Sequence, residues 1–255
     1  MILRRLGNKS KIAAEIQKHF PAHKIYIEPF FGAGGMFFNK HKAQHNFLND
    51  LDSDVFNLFQ VISNKKDEFV ELFNIMPIHN DLFDYWMQNK EEEPVKRAIR
   101  FIMLSNFSLY GKMDTLRFGC VTPKEQVFKY LDKTFEYIKN AQFTNCDFRK
   151  MFSSISLQPE DLNQTLIYCD PPYLKTTDNY NGNSFTEADS KDLFDFLQES
   201  GCKWAMSEFD HPFILEQAKE RKLNVTQIGE RQSLKKRSIE ILVTKYKNHA
   251  TLFDF

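Results

Sequence analysis

The chain has 255 residues, which predicts one large domain or a core domain that carries an insertion. Its 34 basic and 34 acidic residues cancel, so no uniformly basic surface for nucleic acid is expected, while 42% hydrophobic residues can fill a core. The sequence lacks a run of about 18 apolar residues, its first residues are too polar for a signal peptide, and its four cysteines show no CxxC spacing. We therefore expect a cytoplasmic protein without a membrane span, a metal site or disulfides.

The charges are nevertheless clustered. Basic residues gather near the start of the chain, at Arg4, Arg5, Lys9 and Lys11, and again near its end, at Arg231, Lys235, Lys236 and Arg237. These clusters indicate either a basic face on a neutral protein or solvated charge on loops and helices.

Residues 1–64 alternate between helix and strand signals. An amphipathic helix capped by Ser10 is predicted over residues 10–19, and a strand over residues 24–30. Residues 31–35, FGAGG, must form a tight loop because glycine permits backbone geometry and close approach that other residues forbid. After this loop we predict a short helix, a strand within residues 45–50 and a helix over residues 54–63.

Residues 65–140 have a different character, because strand signals fade and helical patterns dominate. Helices are predicted over residues 69–75, 81–88, 94–105 and 125–139, with a polar and aromatic loop between the last two. We interpret residues 65–140 as an inserted target-recognition domain, and residues 1–64 and 141–255 as the catalytic and cofactor-binding core.

The alternation of strands and helices returns after residue 140. A capping box from Thr186 to Asp189 predicts the start of a helix, and another helix is predicted over residues 212–222. Strands are predicted in AQFTNCD, TLIYCD and KWAMSEF, and VTQIGE and IEILVTKY form a closing antiparallel pair. The core is therefore expected to be an α/β sheet.

A glycine-rich loop follows the first predicted strand. The sequence from Glu28 to Gly34 lies between a strand and a helix, where backbone N–H groups can face a ligand. Asp50 ends the next predicted strand, a place where an acidic residue typically binds ribose hydroxyls. Together these features indicate an adenosine-bearing cofactor. Phe37 interrupts the full G-x-G-x-x-G fingerprint of dinucleotide-binding proteins.

The sequence LIYCDPPY ends an apolar strand in a carboxylate, two prolines and an aromatic ring. Proline cannot donate to a sheet ladder, so the strand must end there. Asp170, the carbonyl of Pro171 and Tyr173 then lie at the carboxyl end of a strand, where open α/β sheets bind ligands. An ordinary proline turn is the simpler alternative for these four residues taken alone.

Several separate segments resemble, in the same order, the motifs of adenine-specific DNA methyltransferases of the alpha motif order, which methylate the 6-amino group of adenine. The segments are LGNKSKIAAEI, EPFFGAGG, FLNDLD, NCDF at residues 145–148, DPPY at residues 170–173, and EILVTKY. Because they span nearly the whole chain, their combination is far more specific than any one of them.

This resemblance implies a Rossmann-like core, dependent on S-adenosylmethionine, that methylates an adenine flipped out of double-stranded DNA. It implies catalytic roles for Asp170, Pro171, Pro172 and Tyr173, and it allows a cognate restriction endonuclease as a partner. The residues that it implies for cofactor binding are Arg5, Gly7, Asn8, Lys9, Glu28, Phe31, Gly32, Gly34, Asp50, Asp147, Phe148 and Asp170.

The chemistry of DPPY agrees with this resemblance. The 6-amino nitrogen of adenine is a poor nucleophile because its lone pair is delocalised into the ring. Asp170 and the carbonyl of Pro171 can accept hydrogen bonds from that amino group and stabilise its developing positive charge. A sulfonium already supplies an activated methyl group, so no metal is required.

The sequence departs from the family pattern at two places, one in a cofactor-binding motif and one in the segment that recognises the DNA target. Arg5 stands where the family commonly has an aromatic residue, and NFSLYGK, residues 106–112, replaces an NG-x-x-R type pattern. We predict DNA contacts, to base edges or phosphates, by Asn106, Tyr110, Lys112, Arg117, Lys235, Lys236 and Arg237.

Three alternatives remain at this point. A Rossmann-type oxidoreductase would bind a dinucleotide, but the glycine fingerprint is incomplete. A catalytically decayed DNA-binding protein would not need an intact Asp170 or Asp50. A methyltransferase of similar mechanism could act on RNA, protein or cytosine.

Overall fold

The computed structural model describes residues 1–119, 122–174, 185–232 and 237–246. Within these residues, one sheet of seven strands has the order β3-β2-β1-β4-β5-β7-β6. β7 runs antiparallel to both of its neighbours, as predicted for the closing pair, and the other neighbouring strands are parallel. The strands are β1 (Ile25–Glu28), β2 (His45–Asn49), β3 (Gln142–Thr144), β4 (Thr165–Cys169), β5 (Lys203–Phe209), β6 (Asn224–Gln232) and β7 (Arg237–Thr244).

Helices cover the sheet, and short 3₁₀ turns lie at Lys9–Lys11, Phe37–Asn39 and Leu109–Gly111. The α-helices of the described residues are α1 (Ala13–Gln17), α2 (Ser53–Asn64), α3 (Lys66–Ile75), α4 (Asn80–Gln88), α5 (Pro94–Asn106), α6 (Pro123–Ile138), α7 (Phe148–Ser154), α8 (Pro159–Leu162), α9 (Glu187–Glu199) and α10 (Pro212–Glu220).

β1 and β4 form the centre of the sheet, and all of their residues are buried. Alternate residues of β1 face opposite sides, because Tyr26 belongs to one hydrophobic cluster whereas Ile25 and Ile27 belong to another. Strands that are covered on both faces are continuous apolar runs. This double coverage explains why the sequences of β1 and β4 show little polar alternation.

The described part of the segment 65–140 is mostly helical. Helices α3, α5 and α6 contact α2, and α4 contacts α5. The segment's apolar residues Phe73, Ile99 and Leu131 lie in the same hydrophobic cluster as Tyr26 of β1. The segment therefore shares a core with the sheet, and its division from residues 1–64 and 141–255 as a separate recognition domain stays a prediction.

Local sequence signals explain where several helices begin. The capping box is confirmed, since the Thr186 side chain accepts from the N–H of Asp189 at the start of α9. The prediction that Ser10 caps a helix over residues 10–19 is wrong, because this stretch is divided into a 3₁₀ turn and α1. Asn8 caps the turn instead, and its Oδ1 accepts from the N–H of Ser10 at 3.0 Å. The sequence patterns did not predict α7 and α8.

The strand order changes direction between β1 and β4. β2 and β3 lie on one side of β1, and β4 and β5 lie on the other. At such a switch point the loops after the two central strands separate and leave a crevice at their carboxyl ends. Among the described residues, none of the helices combines the length and apolarity that crossing a bilayer requires.

Candidate active site

A cavity of about 780 Å³ lies at the carboxyl ends of the central strands, within the usual size range of small-molecule sites. The structure brings together around it most of the residues that the sequence singled out for cofactor and catalysis. These lining residues are Arg5, Gly7, Asn8, Lys9, Glu28, Phe31, Gly32, Asp50, Asp147, Phe148, Asp170, Pro171, Pro172 and Tyr173.

Gly34 is the exception, because it is absent from the cavity lining and fills a packing position instead. Its φ is +72°, and a Cβ there would collide with the rings of Phe31 and Phe38. The neighbouring Gly35 does line the cavity, and it also allows a close backbone approach. A Cβ on Gly35 would overlap the Asn8 side chain and lie 2.9 Å from the backbone N of Lys9. Gly35 thus lets the N-terminal segment approach the glycine loop.

Asp50 holds the glycine loop at the end of β2. Its Oδ2 accepts from the backbone N–H of Gly32 at 2.5 Å, and its Oδ1 accepts from the N–H of Asp52 at 2.8 Å. Burial raises the pKa of Asp50, and the nearby Arg5 guanidinium opposes this rise. Each carboxylate oxygen can accept a second hydrogen bond, so Asp50 can bind ligand hydroxyls while it fixes the loop.

Asn49, which the sequence analysis did not select, joins the ends of three strands. Its Nδ2 donates to the carbonyls of Pro29 and Cys146, at 3.0 and 2.9 Å, and its Oδ1 accepts from the Thr144 hydroxyl at 2.7 Å. Asn49 is buried. A polar residue that ends an otherwise buried strand is the signal that could have identified it.

Arg5 lies in the cavity wall. Its Nη2 donates to Oδ2 of Asp52 at 2.8 Å. Asp52 also caps α2 by accepting from the N–H of Asp54. The guanidinium is therefore anchored beside Asp50 through the residue that starts the following helix.

An aromatic group closes one end of the cavity. Phe148 packs against Phe30, with ring centroids 5.5 Å apart, and against Phe185 at 6.2 Å. Asp147 caps α7 by accepting from the N–H of Arg149 at 2.9 Å. The Arg149 guanidinium lies 4.4 Å from the Phe148 ring centroid. This end offers flat apolar surfaces for a purine ring, and Phe30 and Phe185 were missed by the sequence analysis.

Asp170 lies directly after β4, paired with Lys9. Lys9 Nζ is 2.7 Å from Oδ1 of Asp170, and the Ser207 hydroxyl donates to the same oxygen at 3.1 Å. Among the described residues, no hydrogen bond reaches Oδ2. Burial raises the pKa of Asp170, whereas the Lys9 ammonium lowers it. The ion pair thus favours the carboxylate form, with one oxygen available to a ligand.

Tyr173 ends the DPPY segment and is held firmly. Its hydroxyl donates to Oε1 of Glu240 at 2.7 Å, and its ring meets the ring of Phe209 edge-on at 4.7 Å. The Lys9 ammonium lies 4.6 Å from the Tyr173 ring centroid. Tyr173 is 8% exposed, so only a small part of its ring faces the cavity.

Glu28 is a buried carboxylate at the end of β1. The Tyr26 hydroxyl donates to its Oε2 at 2.8 Å. Burial raises the pKa of Glu28 well above its ordinary value, and the hydrogen bond from Tyr26 and the charge of Lys40 oppose this rise. Glu28 therefore adds a strong hydrogen-bonding group to the cavity floor.

The residues predicted to contact DNA differ in how exposed they are. Asn106 was expected on a loop, but it ends α5 and is 4% exposed. Its Nδ2 donates to the Ile2 carbonyl and its Oδ1 accepts from the Arg4 N–H, both at 2.7 Å. The structure therefore gives no support to base reading by Asn106, because its polar atoms are buried against the N-terminal backbone.

Lys112 and Arg117 are exposed on the segment after α5, as expected. A Cβ on Gly111 would lie 2.8 Å from the Arg4 carbonyl oxygen, so this segment abuts the N-terminal residues that lead into the cavity. Tyr110 lies in the 3₁₀ turn Leu109–Gly111 and Arg237 begins β7. Lys235 and Lys236 lie outside the described residues.

The open sheet with its switch-point crevice, the glycine loop and the strand-end carboxylates define a Rossmann-like core with a ligand site at the switch point. The chain matches the D12 class N6 adenine-specific DNA methyltransferase family over residues 6–237, and it belongs to that family. It is therefore a DNA adenine methyltransferase, and its cofactor is S-adenosyl-L-methionine.

Curated relatives carry the name DNA adenine methylase. The protein from Serratia marcescens is 30% identical over 75% of this chain and 75% of its own length. The protein from Escherichia coli K12 is 27% identical over 89% of this chain and 86% of its own length. Similarity to solved structures is remote. The rRNA methyltransferase aviRa from Streptomyces viridochromogenes has 10% identity and a TM-score of 0.40, covering 92% of this chain and 84% of its own.

The lining residues fit this cofactor. A Cβ placed on Gly32 would meet no atom within 4 Å, so the loop leaves open space for a close ligand. The Asp50 carboxylate suits ribose hydroxyls, and the aromatic group around Phe148 suits an adenine ring. Bound in the cavity, S-adenosylmethionine supplies a methyl group activated by its sulfonium.

Proposed function

We propose that this enzyme methylates the 6-amino nitrogen of an adenine flipped out of double-stranded DNA, with Asp170 and the Pro171 carbonyl as the groups that bind that nitrogen. The observation that carries the proposal is the position of Asp170. It lies in the wall of the same cavity as Asp50 and the glycine loop, and its Oδ1 is 2.7 Å from the Lys9 ammonium.

Two acceptors are needed because the amino group has two N–H donors. Hydrogen bonds to Oδ2 of Asp170 and to the Pro171 carbonyl favour a more tetrahedral nitrogen, whose lone pair is less delocalised. As this nitrogen takes the methyl group from the sulfonium it gains positive charge, and the carboxylate stabilises that charge. The two prolines restrict the backbone and so keep both acceptors in place.

Lys9 keeps Asp170 in the form that this chemistry needs. A buried carboxylate without a partner would be protonated more easily and would lose its charge. The buried ammonium compensates that cost at Oδ1 and leaves Oδ2 facing the ligand. Lys9 thus acts on the nitrogen through Asp170.

The substrate base must leave the duplex to reach this site. A stacked adenine cannot enter a cavity at the carboxyl ends of the strands, so the base is flipped and packs on aromatic surface, here the Tyr173 ring. Two exposed cations, Lys112 and Arg117, lie on the segment after α5, whose Gly111 abuts the N-terminal residues. We assign target recognition to the helical segment of residues 65–140.

Two further features complete the proposal. We propose that the enzyme acts in the cytoplasm, since its relatives named DNA adenine methylase come from bacteria, whose DNA lies there. A restriction endonuclease that cuts the unmethylated form of the same sequence is a proposed partner, and resistance of DNA from expressing cells to such an enzyme is the check.

The test is methyl transfer to a DNA duplex, with the modified nucleosides identified by mass spectrometry. Asp170→Ala should abolish N6-methyladenine, since loss of an acceptor for the transition state typically costs on the order of a hundred-fold or more in rate. Asp210→Ala, which removes an exposed carboxylate just after β5, is the matched control and should retain activity. Near-normal activity of Asp170→Ala, or a product other than N6-methyladenine from the wild type, would contradict the proposal.

A further inference from the structure

The Tyr173 hydroxyl and the Lys9 ammonium share one buried carboxylate, that of Glu240 on β7. Tyr173 donates to Oε1 of Glu240 at 2.7 Å, and Lys9 Nζ lies 3.3 Å from the same oxygen. Glu240 is 2% exposed and Lys9 is 4% exposed, so water does not screen these contacts. Glu240, a residue of the last strand, thus contacts both Tyr173 and Lys9 of the proposed active site.

The pairing of β5 with β7 places this carboxylate beside the Tyr173 ring. Glu240 lies opposite Phe209 in the antiparallel ladder, and directly opposed residues project from the same face of a sheet. The Phe209 ring meets the Tyr173 ring edge-on at 4.7 Å. One cross-strand pair therefore fixes both the ring and the hydroxyl of Tyr173.

Lys9 is held between two carboxylates from different strands. Asp170 after β4 lies 2.7 Å from its Nζ, and Glu240 on β7 lies 3.3 Å away. Since Lys9 has a flexible four-carbon side chain, a second anchor restricts where its ammonium can lie. Glu240 thereby limits the position of Lys9 relative to Asp170.

We propose that Glu240 is a positioning residue for methyl transfer, which orients the Tyr173 ring for the flipped base and restrains the Lys9 ammonium beside that ring, while Asp170 remains the nearer partner of Lys9. This inference rests on the proposed function, because Glu240 acts only through residues of that site. It predicts that the charge and the shape of Glu240 affect the chemical step rather than cofactor binding, which depends on Asp50 and the glycine loop.

The charge of Glu240 also acts on Asp170. Repulsion between the two carboxylates raises the pKa of Asp170, so loss of the Glu240 charge should lower it. The acid limb of the activity profile should then move to lower pH. The other titratable groups that face Asp170 are the same residues in both variants: Lys9 of the N-terminal segment, Glu28 of β1, Tyr168 and Cys169 of β4, Tyr173 of the following loop and Glu208 of β5.

The experiment compares Glu240→Gln with Glu216→Gln, the same substitution at an exposed position of α10. We measure single-turnover methylation across pH, cofactor affinity by calorimetry, and thermal unfolding. Glu240→Gln should lose roughly ten-fold to a hundred-fold in rate, the size expected when reacting groups are misplaced. Its acid limb should move to lower pH while cofactor affinity matches the control.

Tyr173→Phe removes the same hydrogen bond from the other side and keeps the ring. If Glu240 acts through this hydroxyl, adding Glu240→Gln to Tyr173→Phe should reduce the rate by less than it does in the wild type. Should Glu240→Gln fail to fold, a rate loss in Tyr173→Phe at unchanged cofactor affinity supports the contact, and an unchanged rate overturns it.

The outcomes separate this inference from the proposed function. An Asp170→Ala variant that still methylates adenine overturns both. An inactive Asp170→Ala variant, together with a Glu240→Gln variant whose rate and pH profile match Glu216→Gln, overturns the role of Glu240 alone. A loss in Glu240→Gln that is explained entirely by weaker cofactor binding or by a lower melting temperature also overturns it.

Discussion

The ammonium of Lys9 lies 2.7 Å from Oδ1 of Asp170, so the N-terminal segment and the end of β4 meet in one ion pair between a buried lysine and a partly buried carboxylate. The pair joins the GNK segment, residues 7–9, to the DPPY segment, residues 170–173, which is far away in sequence. The pKa of Asp170 is the result of two opposed effects at this contact, since burial raises it and the Lys9 charge lowers it.

Removal of the Lys9 charge should therefore change the pH dependence of methyl transfer. Lys9→Met leaves Asp170 buried without its cation, so the pKa of Asp170 rises further. Because the ionised carboxylate is the active form, the acid limb of the rate profile should move to higher pH. Lys11→Met, at an exposed neighbouring lysine, is the control. An acid limb at the same pH in both variants would show that Lys9 does not act through Asp170.

Asp50 is predicted to contribute to cofactor affinity in two ways. Asp50→Ala removes an acceptor for ribose hydroxyls, and it also releases the Gly32 N–H that positions the loop. Hydrogen bonds to a charged group contribute about 1.5–3 kcal/mol, so calorimetry should show S-adenosylmethionine binding weakened by roughly ten-fold or more. Asp84→Ala, on the exposed side of α4, should bind normally. Equal affinity in the two variants would exclude Asp50 from the cofactor site.

Asn106 should matter for stability rather than for DNA sequence. Asn106→Ala leaves the buried Ile2 carbonyl without its partner, which costs about 1–3 kcal/mol, and it also removes the part-buried hydrogen bond from the Arg4 N–H. Denaturant unfolding should show this loss, whereas the exposed Asn74→Ala should not. Discrimination between matched and mismatched duplexes should stay as in the wild type, and a relaxed preference in Asn106→Ala would restore its role as a base reader.

The buried Glu208 on β5 should make the folded protein less stable as the pH rises. Burial raises its pKa from the ordinary value of 4.5 to about 8 in the folded protein. The folded state therefore binds this proton more tightly than the unfolded state, and the stabilisation present below pH 4.5 is lost progressively as the pH rises towards 8. Glu208→Gln lacks this titration, so its melting temperature relative to wild type should rise from pH 5 to pH 8. Glu216→Gln should show no such trend.

The sequence predicted the strands well because buried parallel strands are continuous apolar runs with clear ends. KWAMSEF matches β5 residue for residue. It also predicted that Asp50 and Asp170 lie near each other in a ligand site, since carboxylates directly after parallel strands lie at one edge of the sheet. It did not predict the roles of Gly35, Asn106 or Glu240, because these depend on contacts between segments that are distant in sequence. No local pattern shows which backbone lies against Gly35.

Recognition of the DNA sequence is predicted to depend on Arg117, with Lys112 as its matched comparison. Both side chains are exposed on the segment between α5 and α6, and the Arg117 N–H donates to the Phe107 carbonyl at 2.7 Å, which fixes the backbone there. Arginine can make paired hydrogen bonds to guanine in the major groove, whereas lysine at the edge of an interface suits phosphates.

The two substitutions should therefore produce different defects. Arg117→Ala should reduce discrimination at one base pair by about 1–3 kcal/mol. Lys112→Ala should weaken binding to all sequences alike and make the affinity less dependent on salt, because one fewer counterion is released. Binding of both variants to matched and single-mismatch duplexes at several salt concentrations separates these effects. If Arg117→Ala keeps wild-type discrimination at every position, Arg117 does not read bases, and recognition must depend on other residues of the segment 65–140 or on the basic cluster near residue 236.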